Sequence, residues 1–233
     1  MTTVAIMQPY FLPYIGYFQL IEAVDVFVVY DNIKYTKKGW INRNRLLQNG
    51  KDVMFSLPLK KDSDALDVVQ RELAADFDRN KLLNQFIEVY RRAPYFVQVF
   101  PLLERIVRCT ESNLFRYIHH SIIEICAYLG SKTDIRISSG INIDHALKGQ
   151  DKVLAICDAL GASTYVNAIG GLELYSREVF KDHGIELKFI KSSPFEYPQF
   201  GAPFVPFLSM IDILMFNSLD AVRTCVERNY EWV

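Results

Sequence analysis

Cysteine and histidine are scarce in this sequence, with four of each among 233 residues. The cysteines, Cys109, Cys126, Cys157 and Cys225, share no CxxC spacing. That pattern argues against structural zinc, and their low density argues against a disulfide scaffold. Free thiols buried in a reducing cytoplasm are the expectation. His119 and His120 adjoin in a helical pattern, so they do not face one ligand together. His145 and His183 stand alone, and no H-E-x-x-H occurs. No metal site is expected, and all four histidines read as structural or surface residues. GxSxG, Walker A and GxGxxG are also missing, so the usual hydrolase, P-loop and dinucleotide signatures do not apply. Neither sign of charge dominates: 26 Lys+Arg stand against 27 Asp+Glu, a formal charge of −1. Such balance gives no global drive toward nucleic acid or anionic membrane, though a local basic groove is compatible with it. No basic segment followed by an apolar run opens the chain, and residues 204–216 are broken by Pro206, Ser209 and Asp212. A cytoplasmic chain without membrane insertion is expected.

What is present is apolar material in quantity. Half the residues are hydrophobic and 13% aromatic, enough for a large core without disulfides. Val4–Met7 suits a buried strand, and Pro9 and Pro13 prevent its continuation. Residues 17–23 have helical character, and Val26–Tyr30 is a second β-branched run. Strand, loop, helix and strand together read as a βαβ unit of a parallel sheet. Residues 33–49 are polar, basic and aromatic by turns, and 53–59 read as a strand. From 76 to 129 three apolar stripes repeat at helical spacing, the last stopped by Gly130. The α/β rhythm then resumes: strand 134–138, helix 150–160, strand 164–168, helix 176–183 capped by Ser176, strand 186–190 and a buried helix over 205–217. The expected fold is α/β: a Rossmann-like parallel-sheet core with a helical middle lobe. Residues 1–75 and 131–233 would form the core and 76–130 the lobe.

Several positions have the chemistry of a site. Gln8 to Tyr17 leaves the first strand and opens a helix, where free N–H groups favour anions. Its placement resembles the HIGH-type loop of nucleotidylyltransferases and class I synthetases, but Tyr17 stands where the histidine after glycine would be. The likeness therefore bears on topology rather than on reaction. Asp31-Asn32 ends the second strand, where a carboxylate can act as general base or hold a sugar hydroxyl; an Asx turn is the plainer alternative. Lys37 to Arg45 mixes cations, amides and an aromatic. Lys38, Arg43 and Arg45 suit a phosphate and Trp40 suits a base or sugar face, against the alternative of a solvated basic helix start. The same interleaving would suit RNA. Gly170-Gly171 follows a strand and allows either close backbone approach to a ligand or a tight left-handed turn. Asp212 lies within an apolar helix, and burial demands a partner. Arg43, Arg45, a ligand, Ser209 and a backbone cap are candidates, with a structural ion pair beneath the site the favoured one.

The blocks I-M-Q-P-Y-F-L-P-Y-I-G-Y-F, D-V-F-V-V-Y-D-N, W-I-N-R-N, L-G-A-S-T-Y-V-N, Y-P-Q-F and F-L-S-M-I-D-I-L-M-F-N resemble the WbqC-like family over essentially the whole chain. That family is associated with O-antigen and other surface-polysaccharide gene clusters, and some members are suggested to be aminoacyl (glycine) transferases acting on an amino sugar. The resemblance implies an acyl or aminoacyl transferase that forms an amide on a nucleotide-linked amino sugar. Asp31 would then serve as base, with the Gln8 and Asn42 amides stabilising the oxyanion. Tyr10, Lys38, Trp40, Arg43, Asn44, Arg45, Asn167, Gly170, Gly171 and Gln199 would bind substrate. The donor stays open among acyl-CoA, acyl-adenylate, formyl-folate and aminoacyl-tRNA. A homo-oligomer stays open too, as does a non-catalytic accessory protein that binds a sugar nucleotide or a partner enzyme.

Overall fold

The apolar run at the start of the chain forms β1 (Thr2–Met7), which lies inside a six-stranded sheet with both edges paired. Val4, Ala5 and Ile6 are all buried, which explains why the run shows no polar alternation. The structure, a computed structural model, describes residues 1–201 and 203–233. After a seven-residue loop, α1 (Ile15–Glu22) leads to β2 (Val26–Val29), parallel to β1. The expected βαβ unit is therefore present.

The chain then leaves the sheet. β3 (Arg43–Gln48) and β4 (Lys51–Ser56) form an antiparallel hairpin of their own. Asn49 and Gly50 both have positive φ, 51° and 73°, as a two-residue hairpin turn requires. The basic segment ending at Arg45 is thus a loop running into a strand, not a helix start. α2 (Arg79–Tyr90), α3 (Phe96–Val107) and α4 (Leu114–Leu129) follow the three apolar stripes. Asn113 caps α4, and Gly130 ends it in the left-handed conformation at φ 77°. Phe86, Leu103 and Ile118 from these helices share one apolar cluster with Ala5, Phe27 and Val29 of the sheet.

β5 (Asp134–Ile137) returns to the sheet beside β2. α5 (Gly149–Ala159), β6 (Ala162–Ala168), α6 (Arg177–Asp182) and β7 (Glu186–Ser192) restore the α/β alternation. The expected helix at 205–217 is shorter: α7 spans Met210–Phe216, with Ser209 as its cap. The prolines upstream keep 203–208 irregular. Beyond it lie α8 (Leu219–Arg228) and β8 (Tyr230–Trp232).

The sheet order is β5-β2-β1-β6-β7-β8, parallel except for β8. Alternate residues feed two apolar layers. Ala5, Phe27, Val166 and Ile190 pack with α1, the middle helices, α7 and α8. Val4, Ile6, Val28, Tyr165 and Phe189 pack against α5 and α6. This is a Rossmann-like, doubly wound α/β fold. The order reverses between β1 and β6, and the crevice beyond the carboxyl ends of those strands is the place where such sheets bind ligands.

Candidate functional site: the switch-point cleft

A cleft of about 1010 Å³ opens where the strand order reverses. Gln8 and Tyr10 reach it from the end of β1, and Asn167, Gly170 and Gly171 from the end of β6. Tyr30 and Asn32 enter from β2, Lys34 and Asp67 from the excursion, and His145, Lys148 and Lys152 from the start of α5.

The loop between β1 and α1 is held rigidly. Leu12 is fully buried at φ 48°, an unfavourable backbone for leucine. The Phe11 N–H donates to Ile41 O at 2.9 Å, and the Leu12 carbonyl accepts from the Asn44 amide and from Ser209 Oγ. Met210 N–H donates to Pro13 O at 2.9 Å, and Tyr17 Oη to Gln8 O at 3.1 Å. These bonds over-determine the loop and fix Gln8 and Tyr10 at the cleft. Tyr10 Oη lies 3.4 Å from Gln8 Oε1.

Gly170 and Gly171 do not form a left-handed turn; they lie in a short 3-10 segment with ordinary φ. Gly171 packs closely, because a Cβ there would sit 3.1 Å from the Asn167 side chain, which would have to shift by a few tenths of an ångström. Asn167 itself donates to Tyr165 Oη at 3.0 Å and accepts from Ala168 N at 2.7 Å.

Lys152 is the unusual group. It is 3% exposed, yet no carboxylate lies within 4.0 Å of its ammonium among the described residues. Its neighbours are the carbonyls of His145 at 3.3 Å and Asn32 at 3.5 Å, and the Tyr30 ring, whose centre is 5.0 Å away. Burial lowers its pKa, partly offset by Asp67 and Asp31. Nearby, Asn32 Nδ2 lies 2.9 Å from His145 Nδ1. With the amide donating, the imidazole proton sits on Nε2.

The model of the WbqC-like protein family matches residues 8–224. The chain belongs to that family. It is also similar to the uncharacterized protein Rv1507c of Mycobacterium tuberculosis, with 27% identity over 232 residues, 97% of this chain and 99% of the other.

The residues singled out in this WbqC-like chain fall into separate places. Asp31 is 1% exposed and does not line the cleft. Its Oδ1 accepts from Ser138 Oγ at 2.7 Å and Ser139 N at 2.9 Å, and its Oδ2 from Ser139 Oγ at 2.6 Å. The carboxylate fastens the end of β2 to the end of β5. Asn42 accepts from Tyr35 Oη at 2.9 Å and donates to Leu57 O at 2.8 Å, holding the base of the hairpin. Arg43 is bound to the carbonyls of Gly39 and Lys38. The Lys38 side chain lines none of the cavities described here. Tyr10, Trp40, Asn44 and Arg45 border a second hollow, with Tyr10 as a wall common to both.

Gln199 and Asp212 belong to a third cluster. The Gln199 amide is tied to Val205 N and O at 2.9 and 3.1 Å. Asp212 is fully buried and, among the described residues, has no arginine partner. Tyr197 Oη donates to it at 2.7 Å, Tyr90 Oη at 2.9 Å and Gln199 Nε2 at 3.2 Å. Burial raises its pKa to about 6, against the lowering effect of those bonds. The favoured ion pair is thus replaced by a set of neutral donors.

Of the cysteines, Cys109 is only half-buried, while burial pushes the Cys126 and Cys157 thiols up to about 12. No described helix is long and apolar enough to cross a membrane. Lys152, Asp67 and His145 were not singled out in advance. For Lys152 a signal exists: it stands one turn before Ile156 on the apolar face of α5. Asp67 has none, since only the long excursion of the chain brings it to the cleft, and His145 has none because it lies in the irregular segment between β5 and α5.

Proposed function

We propose that this protein binds a nucleotide-linked amino sugar in the switch-point cleft and forms an amide on the sugar amine. The acyl or aminoacyl group would come from an activated donor, and the reaction would serve O-antigen or other surface-polysaccharide assembly. One observation carries the reading. Lys34, Lys148 and Lys152 line, with one carboxylate among the described residues, Asp67, a cleft walled by Tyr10, Tyr30 and Tyr175. An excess of cations suits a diphosphate, and tyrosine faces suit a base or sugar ring. The volume, about 1010 Å³, suits a ligand of that size.

In this reading the uncharged amine attacks the carbonyl carbon of the donor. A C–N bond forms, and the bond to the leaving group breaks, its electron pair departing with that group. The amine proton passes to Asp67, which takes the role first considered for Asp31. The Gln8 amide donates to the developing oxyanion. Lys34, Lys148 and Lys152 hold the diphosphate, in place of Lys38 and Arg43. Asn42, Asn44 and Gln199 act by holding the framework.

Thermal shift with dTDP- and UDP-linked amino sugars, and with their unsubstituted parents, tests the binding. A ligand at about a hundred times its dissociation constant adds roughly 2.7 kcal/mol of stability. The shift should favour the amino sugars and disappear in Lys152→Met, which keeps the apolar stem and removes the charge. A shift unchanged in that variant places the ligand elsewhere. Binding with no acylated product, across the donor classes by mass spectrometry, identifies a non-catalytic sugar-nucleotide binder.

A further inference from the structure

A second hollow of about 380 Å³ lies between the loop after β1 and the hairpin. Tyr10, Tyr14, Trp40 and Phe207 supply aromatic faces, and Arg45 the only charge among the described residues that line it. Two of these aromatics stand in solvent, Trp40 at 40% and Phe207 at 67% exposure. Phe207 also adopts φ 58°, a conformation that bulky side chains avoid. Its ring rests against Tyr14, with centres 5.7 Å apart. Exposed aromatics gathered beside a strained backbone are a feature found at ligand sites.

The floor is rigid. Asn44 is buried and its amide is bonded to the carbonyls of Phe11 and Leu12. The Arg45 guanidinium lies 4.9 Å from the centre of the Trp40 ring. Its carboxylate neighbour, Asp52, is 3.5 Å away and half exposed, so that pair is weak and can yield to an anion. A flat ring stacked in this hollow would therefore carry its negative charge beside Arg45.

We infer that the hollow binds a nucleoside monophosphate unit, the carrier half of the activated donor, with Tyr10 dividing it from the acceptor in the larger cleft. This rests on the transferase reading above. It differs from an all-in-one site, because the base-stacking and phosphate-binding residues of the hairpin serve the donor rather than the sugar nucleotide.

The chain has two tryptophans, Trp40 and Trp232. Trp232→Phe, far along the chain on β8, leaves Trp40 as the only indole fluorophore. AMP titrated into that variant should quench and shift Trp40 emission, with UMP doing so more weakly because its ring stacks over less area. Ribose 5-phosphate and inorganic phosphate should leave emission unchanged. Adding Arg45→Gln should raise the AMP dissociation constant about tenfold, the scale of one charge-assisted bond. Adding Lys152→Met should leave AMP quenching intact, so this result is independent of the sugar-nucleotide assay. No change in Trp40 emission up to millimolar AMP, or quenching indifferent to Arg45→Gln, overturns the proposal. AMP quenching without any amino-sugar shift would retain the hollow and reject the acceptor site instead.

Discussion

Asp212 gives the sharpest test of the structure, because its burial and its partners predict both a sign and a size. The carboxyl is raised from its ordinary 3.8 to about 6 when folded. The folded state therefore binds the proton more tightly than the unfolded chain does. Stability contributed by this group is fully present below pH 3.8 and is lost as pH rises through 6. At about 1.4 kcal/mol per pH decade, the loss is about 2.4 kcal/mol between pH 4 and pH 7.5. Other carboxylates act oppositely: hydrogen bonds hold Asp25 and Glu111 below their ordinary values. The measurement must therefore be a difference. Urea unfolding of the wild type and Asp212→Asn, from pH 4 to pH 8, isolates the term. The variant should be at its greatest relative disadvantage at pH 4, and that disadvantage should shrink by about 2.4 kcal/mol by pH 7.5. Tyr197→Phe removes a bond that favours the ionised form, so it should move the midpoint above 6. Stability curves for wild type and Asp212→Asn that run parallel across this range would refute the reasoning.

Three more expectations follow from individual contacts. Asp31→Ala removes three bonds at the β2–β5 junction, so it should lower stability by about 1–3 kcal/mol in denaturant unfolding; a stable variant with a changed pH–rate profile would restore Asp31 as a base. Gly171→Ala pushes on the Asn167 amide by a few tenths of an ångström, and should weaken sugar-nucleotide binding in the thermal-shift assay with a stability change of no more than about 1 kcal/mol. Gly50→Ala forces a side chain into a left-handed turn and should cost about 1–2 kcal/mol, with no effect on ligand shifts.

The parallel core was legible because its strands and helices carry their own signals. Val4–Met7 and Val26–Val29 are β-branched or apolar throughout, and Ser176, Gly130 and Gly184 mark helix ends that the structure retains. β3 was not read, since inward-facing Asn44 and the arginines hide its alternation, although Asn49-Gly50 announced a hairpin. α8 had a readable Ser218 cap and an apolar stripe of Val222, Cys225 and Val226. β8, three residues long, has no local signature and exists because β7 offers an edge. Site residues divided similarly. Gln8, Tyr10 and Asn167 stand at strand ends and line the cleft, a placement readable from their positions after apolar runs. Asp31 occupies the same kind of place, but Ser138 and Ser139 turn it inward, and nothing local to Asp31 reveals partners a hundred residues away.

The position of β1 has a consequence for how the molecule is made. β1 leaves the ribosome well before β6, yet it is flanked on one side by β2 and on the other by β6. Pairs such as Val4 with Tyr165 form only after the whole intervening segment has been synthesised. Until then one edge of an apolar strand lacks its partner, a state prone to wrong pairing. Closing so long a loop costs only slightly more than closing a shorter one, because the entropy grows with the logarithm of length. The burden is kinetic, with a high contact order and a late, cooperative completion. The cleft, which needs the ends of both β1 and β6, therefore takes shape only once β6 has joined the sheet.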